Sequence, residues 1–339
     1  MAQTVGVIAA VASMAALAAQ PTWRGGLLAT LARWTGYHAP GGLWRIAAIL
    51  LALVNLKNLP FVWHIRIFRA LIYQLYVQPT PIPPHALFQP VITSSRTTLL
   101  ETDYNLHKSN STYFSDMDIS RSALFSAIMR NAIRKSPKAS AAGATQGTKG
   151  THMIALGGIS CLFKKEILPY KKYEMWTRLL CWDRKWFYLI THLVKPGVAR
   201  PKAWTLQPWR KASARSSAEG VDKEKLKGAV FATGIAKYVI KRGRLTIPPE
   251  QALVDAGMVP LKPEGWVYEG GDVKEDAEAI EESTLPREIN PEEWNWDVIE
   301  KERRRGLVVA EKFAGLEGMH GYFDGGEGGV LGEYADLLW

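Results

Sequence analysis

The first hundred residues of this 339-residue chain contain no Asp or Glu; Glu101 is the first. Cysteine is scarce. Cys161 and Cys181 stand alone, which excludes a disulfide scaffold and offers no metal-type spacing. The seven histidines form no H-E-x-x-H pair, so no metal is expected. G-x-G-x-x-G and Walker A patterns are missing too, which leaves nucleotide-cofactor chemistry without support, and no cofactor is expected. The nearest approach to a serine-hydrolase elbow, Gly158-Ile159-Ser160-Cys161-Leu162, lacks its second glycine. No RNP, finger or basic-helix pattern accompanies the positive charge, so nucleic acid is not an expected partner.

What is present is unevenly distributed. The net charge of +10 divides into +24 for residues 1–249 and −14 for residues 250–339. Hydrophobic residues make up 47% of the chain, which excludes global disorder. Residues 4–19 are nearly all small or apolar, long enough for a short membrane helix. Ala16-Leu17-Ala18 also resembles a signal-cleavage site, although no Lys or Arg precedes it. A second apolar run covers residues 43–56, which could equally be a buried core helix. Phe61, Ile65, Phe68, Ile72 and Leu75 then form one helical stripe, with Arg66 and Arg69 off it. Such basic, apolar-striped helices lie in a headgroup layer with their cations toward anionic lipid. Residues 1–77 are therefore read as a membrane-associated segment, at the endoplasmic reticulum.

Residues 78–90 carry five prolines and read as an extended linker. Residues 91–100 read as a strand and 111–135 as a long helix, with Tyr113, Met117, Leu124 and Ile128 at helical spacing. Residues 152–163, 174–182, 185–194 and 229–241 read as strands of one antiparallel sheet, with Asp183-Arg184 as a tight turn. Residues 195–227 are too polar for a strand and read as an insertion. The reading is α+β, a helix and an antiparallel sheet over residues 91–260. An acidic, Gly-rich extension covers 261–339; within it, residues 299–305 suggest a local amphipathic helix.

The chemistry concentrates between Glu101 and Phe114. There a carboxylate and a histidine follow a strand end and immediately precede a helix start. A helix start offers unpaired N–H groups and a positive dipole end, and Asn110 or Ser111 is a good N-cap. A carbonyl oxygen placed there meets ready-made donors, as acyl transfer requires, and Asp103 is placed to be base or nucleophile. The same residues would also serve simply to organise a turn and a cap.

Asp103-Tyr104-Asn105-Leu106-His107-Lys108-Ser109-Asn110-Ser111-Thr112-Tyr113 resembles the D-x-x-x-H-[MV]-N-N-x-x-Y signature of hotdog-fold thioesterases. The nearest branch is that of thioesterase superfamily member 6 and its fungal relatives. The run from Tyr113 to Arg121 resembles that branch's Y-L-x-x-x-D-x-A-R helix, and Trp182 to Tyr188 its W-D-x-K-x-F-Y strand pair. The resemblance spans about half the chain, and that branch also carries an apolar N-terminal segment. It implies a hotdog fold, a homodimer with the acyl site at the shared interface, and hydrolysis of an acyl thioester carried on coenzyme A or a carrier protein. It implies that Asp103 is the catalytic carboxylate and that His107 orients the loop. It further implies that the amides of Asn110, Ser111 and Thr112 polarise the thioester carbonyl. Some fungal members are encoded beside polyketide or peptide synthases, which implies secondary metabolism. Lys108 and Ser109 depart from the signature's Met/Val and first Asn. That departure leaves room for a non-catalytic, acyl-binding or membrane-docked accessory protein.

Overall fold

The computed structural model describes residues 21–37, 39–134, 152–199, 201, 203–210, 223–270, 289–322, 331, 333 and 334. Two units are distinguished: residues 1–63 with 98–100, and residues 64–97 with 101–339.

In the first unit, helices α1 (Pro21–Thr35) and α2 (Gly42–Val54) are joined by a short turn. A helix α3 (Val62–Ile72) begins at its end and continues into the second unit. Buried Asn55 accepts from the Leu100 amide at 2.8 Å, and Asn58 accepts from Thr98 Oγ1 at 2.7 Å, which fixes residues 98–100 in this unit. The apolar run at 43–56 becomes the 13-residue α2, about 20 Å long at 1.5 Å per residue, against about 30 Å of bilayer hydrocarbon. Among the described residues, no helix is long and apolar enough to cross a membrane. The apolar stretch at 4–19 lies outside the described residues.

The second unit is built on a six-stranded antiparallel sheet. Its strands are β1 (Val91–Arg96), β2 (His152–Phe163), β3 (Lys172–Trp182), β4 (Phe187–Val194), β5 (Val230–Arg242) and β6 (Leu245–Ile247). The spatial order is β1-β3-β4-β5-β2, with β6 on β5, so β1 and β2 are its edges. The central helix α4 (Asn110–Ile128) lies across one face, and α5 (Arg130–Arg134) follows. The expected helix is thus interrupted at Met129, where the chain re-aims Asn131 to bond the Ala256 carbonyl at 3.0 Å. A six-residue α6 (Lys223–Gly228) precedes β5, and α7 (Pro249–Ala256) follows β6.

Strand alternation sorts the side chains. Tyr173, Met175 and Leu179 of β3, with Phe187, Leu189 and Leu193 of β4, face α4. Gly234 lets α4 close on β5, because a Cβ there would sit 2.7 Å from Met117 Sδ. The polar residues in this interface satisfy one another, Ser120 Oγ meeting Thr177 Oγ1 at 2.7 Å and Thr177 meeting Thr191 at 3.0 Å. A register shift between Leu179 and Cys181 turns Leu180 and Cys181 to the opposite face. That face is covered by α8 (Trp296–Ala314), so part of the acidic extension is folded onto the sheet rather than solvated. The proline-rich segment is also less free than its composition suggests. Leu87 and Phe88 are buried, with Phe88 stacked on Trp182 at 6.0 Å. The turn expected at Asp183 is present: Asp183 Oδ1 accepts from the amides of Lys185 and Trp186, both at 2.6 Å.

Candidate active site

β1 ends at Arg96, and a short 3-10 turn leads to Glu101. Residues 101–109 then form a closed loop laced by backbone bonds. The Ser109 amide donates to Glu101 O at 2.7 Å, Thr102 pairs with Lys108, and the Asp103 amide donates to His107 O at 3.0 Å. Leu106 at the tip adopts a left-handed φ of 59°, held by its amide's bond to Asp103 O at 3.0 Å. Asp103 Oδ1 accepts from the Asn105 amide at 2.9 Å. His107 Nδ1 lies 3.5 Å from the same oxygen, and both side chains are about one-quarter exposed. The carboxylate is therefore oriented by its own loop yet reachable from solvent.

The loop runs directly into α4. The N-cap is Ser109, not Asn110 or Ser111 as sequence suggested, because Ser109 holds the extended conformation (φ −60°, ψ 135°) that precedes the first helical turn. Thr112 is turned back on this cap: its amide donates to Ser109 O at 3.0 Å and its hydroxyl at 2.7 Å. Of the three amides expected to polarise a carbonyl, that of Thr112 is thus engaged. Asn110 and Ser111 occupy the first-turn positions where an α-helix supplies no i−4 acceptor.

Tyr113 forms the floor. It is buried, and its ring meets Phe163 of β2 edge-on at 5.0 Å. Burial pushes its hydroxyl up to about 12, with Cys161 and Asp103 nearby adding to the rise. It stays protonated at any working pH. Leu162 and Phe163 are exposed at the β2 edge beside it. A water-sized void between α4 and the sheet, lined by Phe125, Ile128, Leu179 and Phe187, lies at the other end of α4 and is too small for an acyl chain.

Beneath the loop lies a set of charges that sequence reasoning did not assemble. Lys108, which departs from the signature, is fully buried, with Nζ 3.0 Å from Asp116 Oδ2 and 3.3 Å from Glu101 Oε2. Asp116 also accepts from Arg66 Nη2 at 2.7 Å, from Ser95 Oγ at 3.4 Å and from the Tyr173 hydroxyl. Arg66 of α3 therefore turns inward, while Ile65, Phe68 and Ile72 are exposed. The available signal was spacing: Asp116 falls three residues after Tyr113 and four before Ser120, on the buried face of α4.

A partly exposed carboxylate thus precedes a helix start, on a sheet wrapped about one long helix, which is the layout of a hotdog scaffold. Residues 97–243 match the family model of the thioesterase-like superfamily. "Probable thioesterase atnL" of Emericella nidulans is 36% identical over 86% of this chain and 92% of its own. "Thioesterase poxG" of Penicillium oxalicum is 32% identical over 85% and 92%, and "Thioesterase lcsJ" of Purpureocillium lilacinum 30% over 87% and 96%. Among solved structures, a gentisyl-coenzyme A thioesterase aligns with 49% of this chain and 99% of its own at 15% identity, with a TM-score of 0.30. The chain belongs to the thioesterase-like superfamily and is a thioester hydrolase.

Proposed function

We propose that Asp103 carries the hydrolysis of an acyl thioester. The observation that supports it is the placement of its carboxylate. It is one-quarter exposed and fixed by the Asn105 amide, in a loop whose end is the N-cap of α4. The thioester carbonyl lies against the amides of Asn110 and Ser111, where the helix dipole and unpaired N–H groups stabilise the developing oxyanion. Asp103 either takes a proton from the attacking water or attacks the carbonyl itself. His107 holds the loop, its ring against Asp103. Tyr113 and Phe163 offer the acyl group an apolar wall.

The substrate class is an acyl or polyketide chain on coenzyme A or a carrier protein, in secondary metabolism; the signature's resemblance to the fungal branch supports this. The same resemblance, with the apolar edge of β2 beside the site, supports a homodimer whose second chain completes the acyl pocket. Membrane association through residues 1–77, at the endoplasmic reticulum, is supported by the first unit. Trp34, Leu43, Trp44 and Phe61 are exposed there alongside Arg33 and Arg45, with no acid.

The test is a hydrolysis panel of acyl-coenzyme A chain lengths. Asp103→Asn keeps shape but removes charge and basicity, and is expected to lower kcat by roughly 10²-fold. Near-wild-type turnover by that variant would remove Asp103 from the reaction. Single turnover in ¹⁸O water tests the nucleophilic route: label in Asp103 requires an acyl–Asp103 anhydride opened by water at the Asp103 carboxyl carbon, whereas a general base sends the label only to the product acid.

A further inference from the structure

Lys108 has no counterpart in the signature its neighbours follow, and it is placed where it touches both ends of the active-site loop. Its backbone pairs with Thr102 across the stem, and its amide donates to Ile167 O at 2.8 Å. Its side chain runs inward with no exposure and ends between two carboxylates from different elements. Glu101 is the residue at which the loop opens, and its carbonyl receives the amide of the N-cap Ser109. Asp116 is nearly two turns into α4. The ammonium also lies 5.4 Å from the ring centres of Tyr113 and Tyr173, which brace it laterally. Asp116 is itself immobilised, by Arg66, Ser95 and Tyr173. Glu101 and Asp116 bring two negative charges, and Lys108 and Arg66 bring two positive ones. The cluster is balanced, as a buried ionic group must be.

We propose that Lys108 is a positioning residue for the hydrolysis: its ammonium ties the loop bearing Asp103 to the body of α4, and so fixes that carboxylate relative to the amides at the helix start. The inference rests on the assignment of Asp103 above. Its physical reason is geometric. The nucleophilic or basic oxygen comes from the loop, and the oxyanion donors come from the helix. Hydrolysis needs both at one carbonyl, and a displacement of the order of 1 Å between them costs about 10²-fold in rate. An apolar side chain at position 108 could fill the space but could not hold two carboxylates. Substrate affinity, which depends on the acyl wall and not on this alignment, would be left unchanged.

The experiment compares the wild type with Lys108→Met/Glu101→Gln in the full-length protein, under steady-state hydrolysis of the best acyl-coenzyme A substrate. The double substitution removes one charge of each sign, so Asp116 and Arg66 remain a matched pair. Thermal unfolding is measured alongside. The expected result is a kcat roughly tenfold or more below wild type, KM within about twofold, and Tm close to wild type. Wild-type kcat in a folded double variant would overturn the proposal, as would a loss confined to KM. Should the double variant fail to fold, Glu101→Gln alone carries the test. It is isosteric, loosens one arm of the tie and is expected to lower kcat with KM retained; unchanged kcat overturns the proposal. Adding Asp103→Asn closes the cycle. A Lys108 that acts through the carboxylate adds little further loss once Asp103 is gone, whereas a full multiplicative loss overturns the proposal. Asp103→Asn alone reports separately on the catalytic assignment, so the two readings fail on different variants.

Discussion

His192 shows how a single side chain adds to the acid sensitivity of the fold. It points away from α4, with Nδ1 3.0 Å from Thr233 Oγ1. Burial, and after it the nearby Arg178 guanidinium, lower its pKa from 6.5 to about 4. The unfolded chain therefore binds a proton that the folded chain refuses. Stability attributable to this neutral histidine is intact above pH 6.5 and is lost as pH falls from 6.5 toward 4, on the order of 3 kcal/mol in total. Tm measured against pH should fall through that window, and His192→Gln should flatten this part of the profile. A fall of equal size in the variant would assign the acid sensitivity to other groups. Asp103 and Lys108 belong to the same scale: one carboxylate partly exposed, one ammonium fully buried.

Helix α8 docks through a missing side chain. A Cβ at Gly306 would stand 2.3 Å from Leu180 O and 2.8 Å from Cys181 Cβ, so the helix rests on the backbone of β3 itself. Arg303 adds a bond from Nη1 to Trp182 O at 2.9 Å, while Glu300 gathers Arg303 and Arg304. Gly306→Ala must push the helix outward, at a cost of about 1–3 kcal/mol in urea unfolding. Cys181 reports the event directly. It is fully buried under α8, and burial holds its thiol well above the ordinary range. A disulfide reagent should label Cys181 faster in Gly306→Ala than in wild type, with partly exposed Cys161 as internal reference. Because α8 lies on the sheet face opposite α4, kcat of the folded variant should stay near wild type.

For the whole molecule, the two edges of the sheet are unequal. β1 runs into the loop of residues 101–109, whereas β2 is a 12-residue edge with Met153, Leu156 and Leu162 exposed. A long apolar edge invites pairing with another strand. Light scattering after gel filtration should give the mass of two chains, and Leu156→Lys should shift it toward one chain and lower activity with it. A wild-type protein that stays monomeric and active would remove the shared-interface site. Flotation with vesicles tests the N-terminal segment in the same way: anionic vesicles should carry the full-length protein upward, and removal of residues 1–77 would also remove Arg66 from Asp116. A safer variant is therefore Trp34→Ser/Trp44→Ser, which touches exposed residues of the first unit.

Strands β1 to β5, the central helix and the Asp183 turn were legible in sequence, because alternation, helical spacing and turn chemistry are local properties of neighbouring residues; the three-residue β6 was too short to show a pattern. The pairing of Asp103 with His107 was legible because their spacing is that of a known signature, and the fold brings the two side chains to 3.5 Å. The N-cap was misplaced by one or two residues, since Asn110, Ser111 and Ser109 are all chemically fit to cap and only backbone torsion chooses between them. The Lys108 cluster was not legible at all. Arg66, Glu101, Lys108, Asp116 and Tyr173 are drawn from two helices, a loop and a strand, and each alone reads as an ordinary polar residue. An amphipathic helix was legible at residues 299–305, but its docking onto the sheet was not, because the sequence does not say which surface its apolar face meets; the fold sets it against Leu180 and Tyr188. Local pattern thus determined which elements form and which carboxylate stands just before the central helix. Tertiary structure decided which buried charges meet, because opposite charges can leave water only where folding brings them within hydrogen-bond reach of one another.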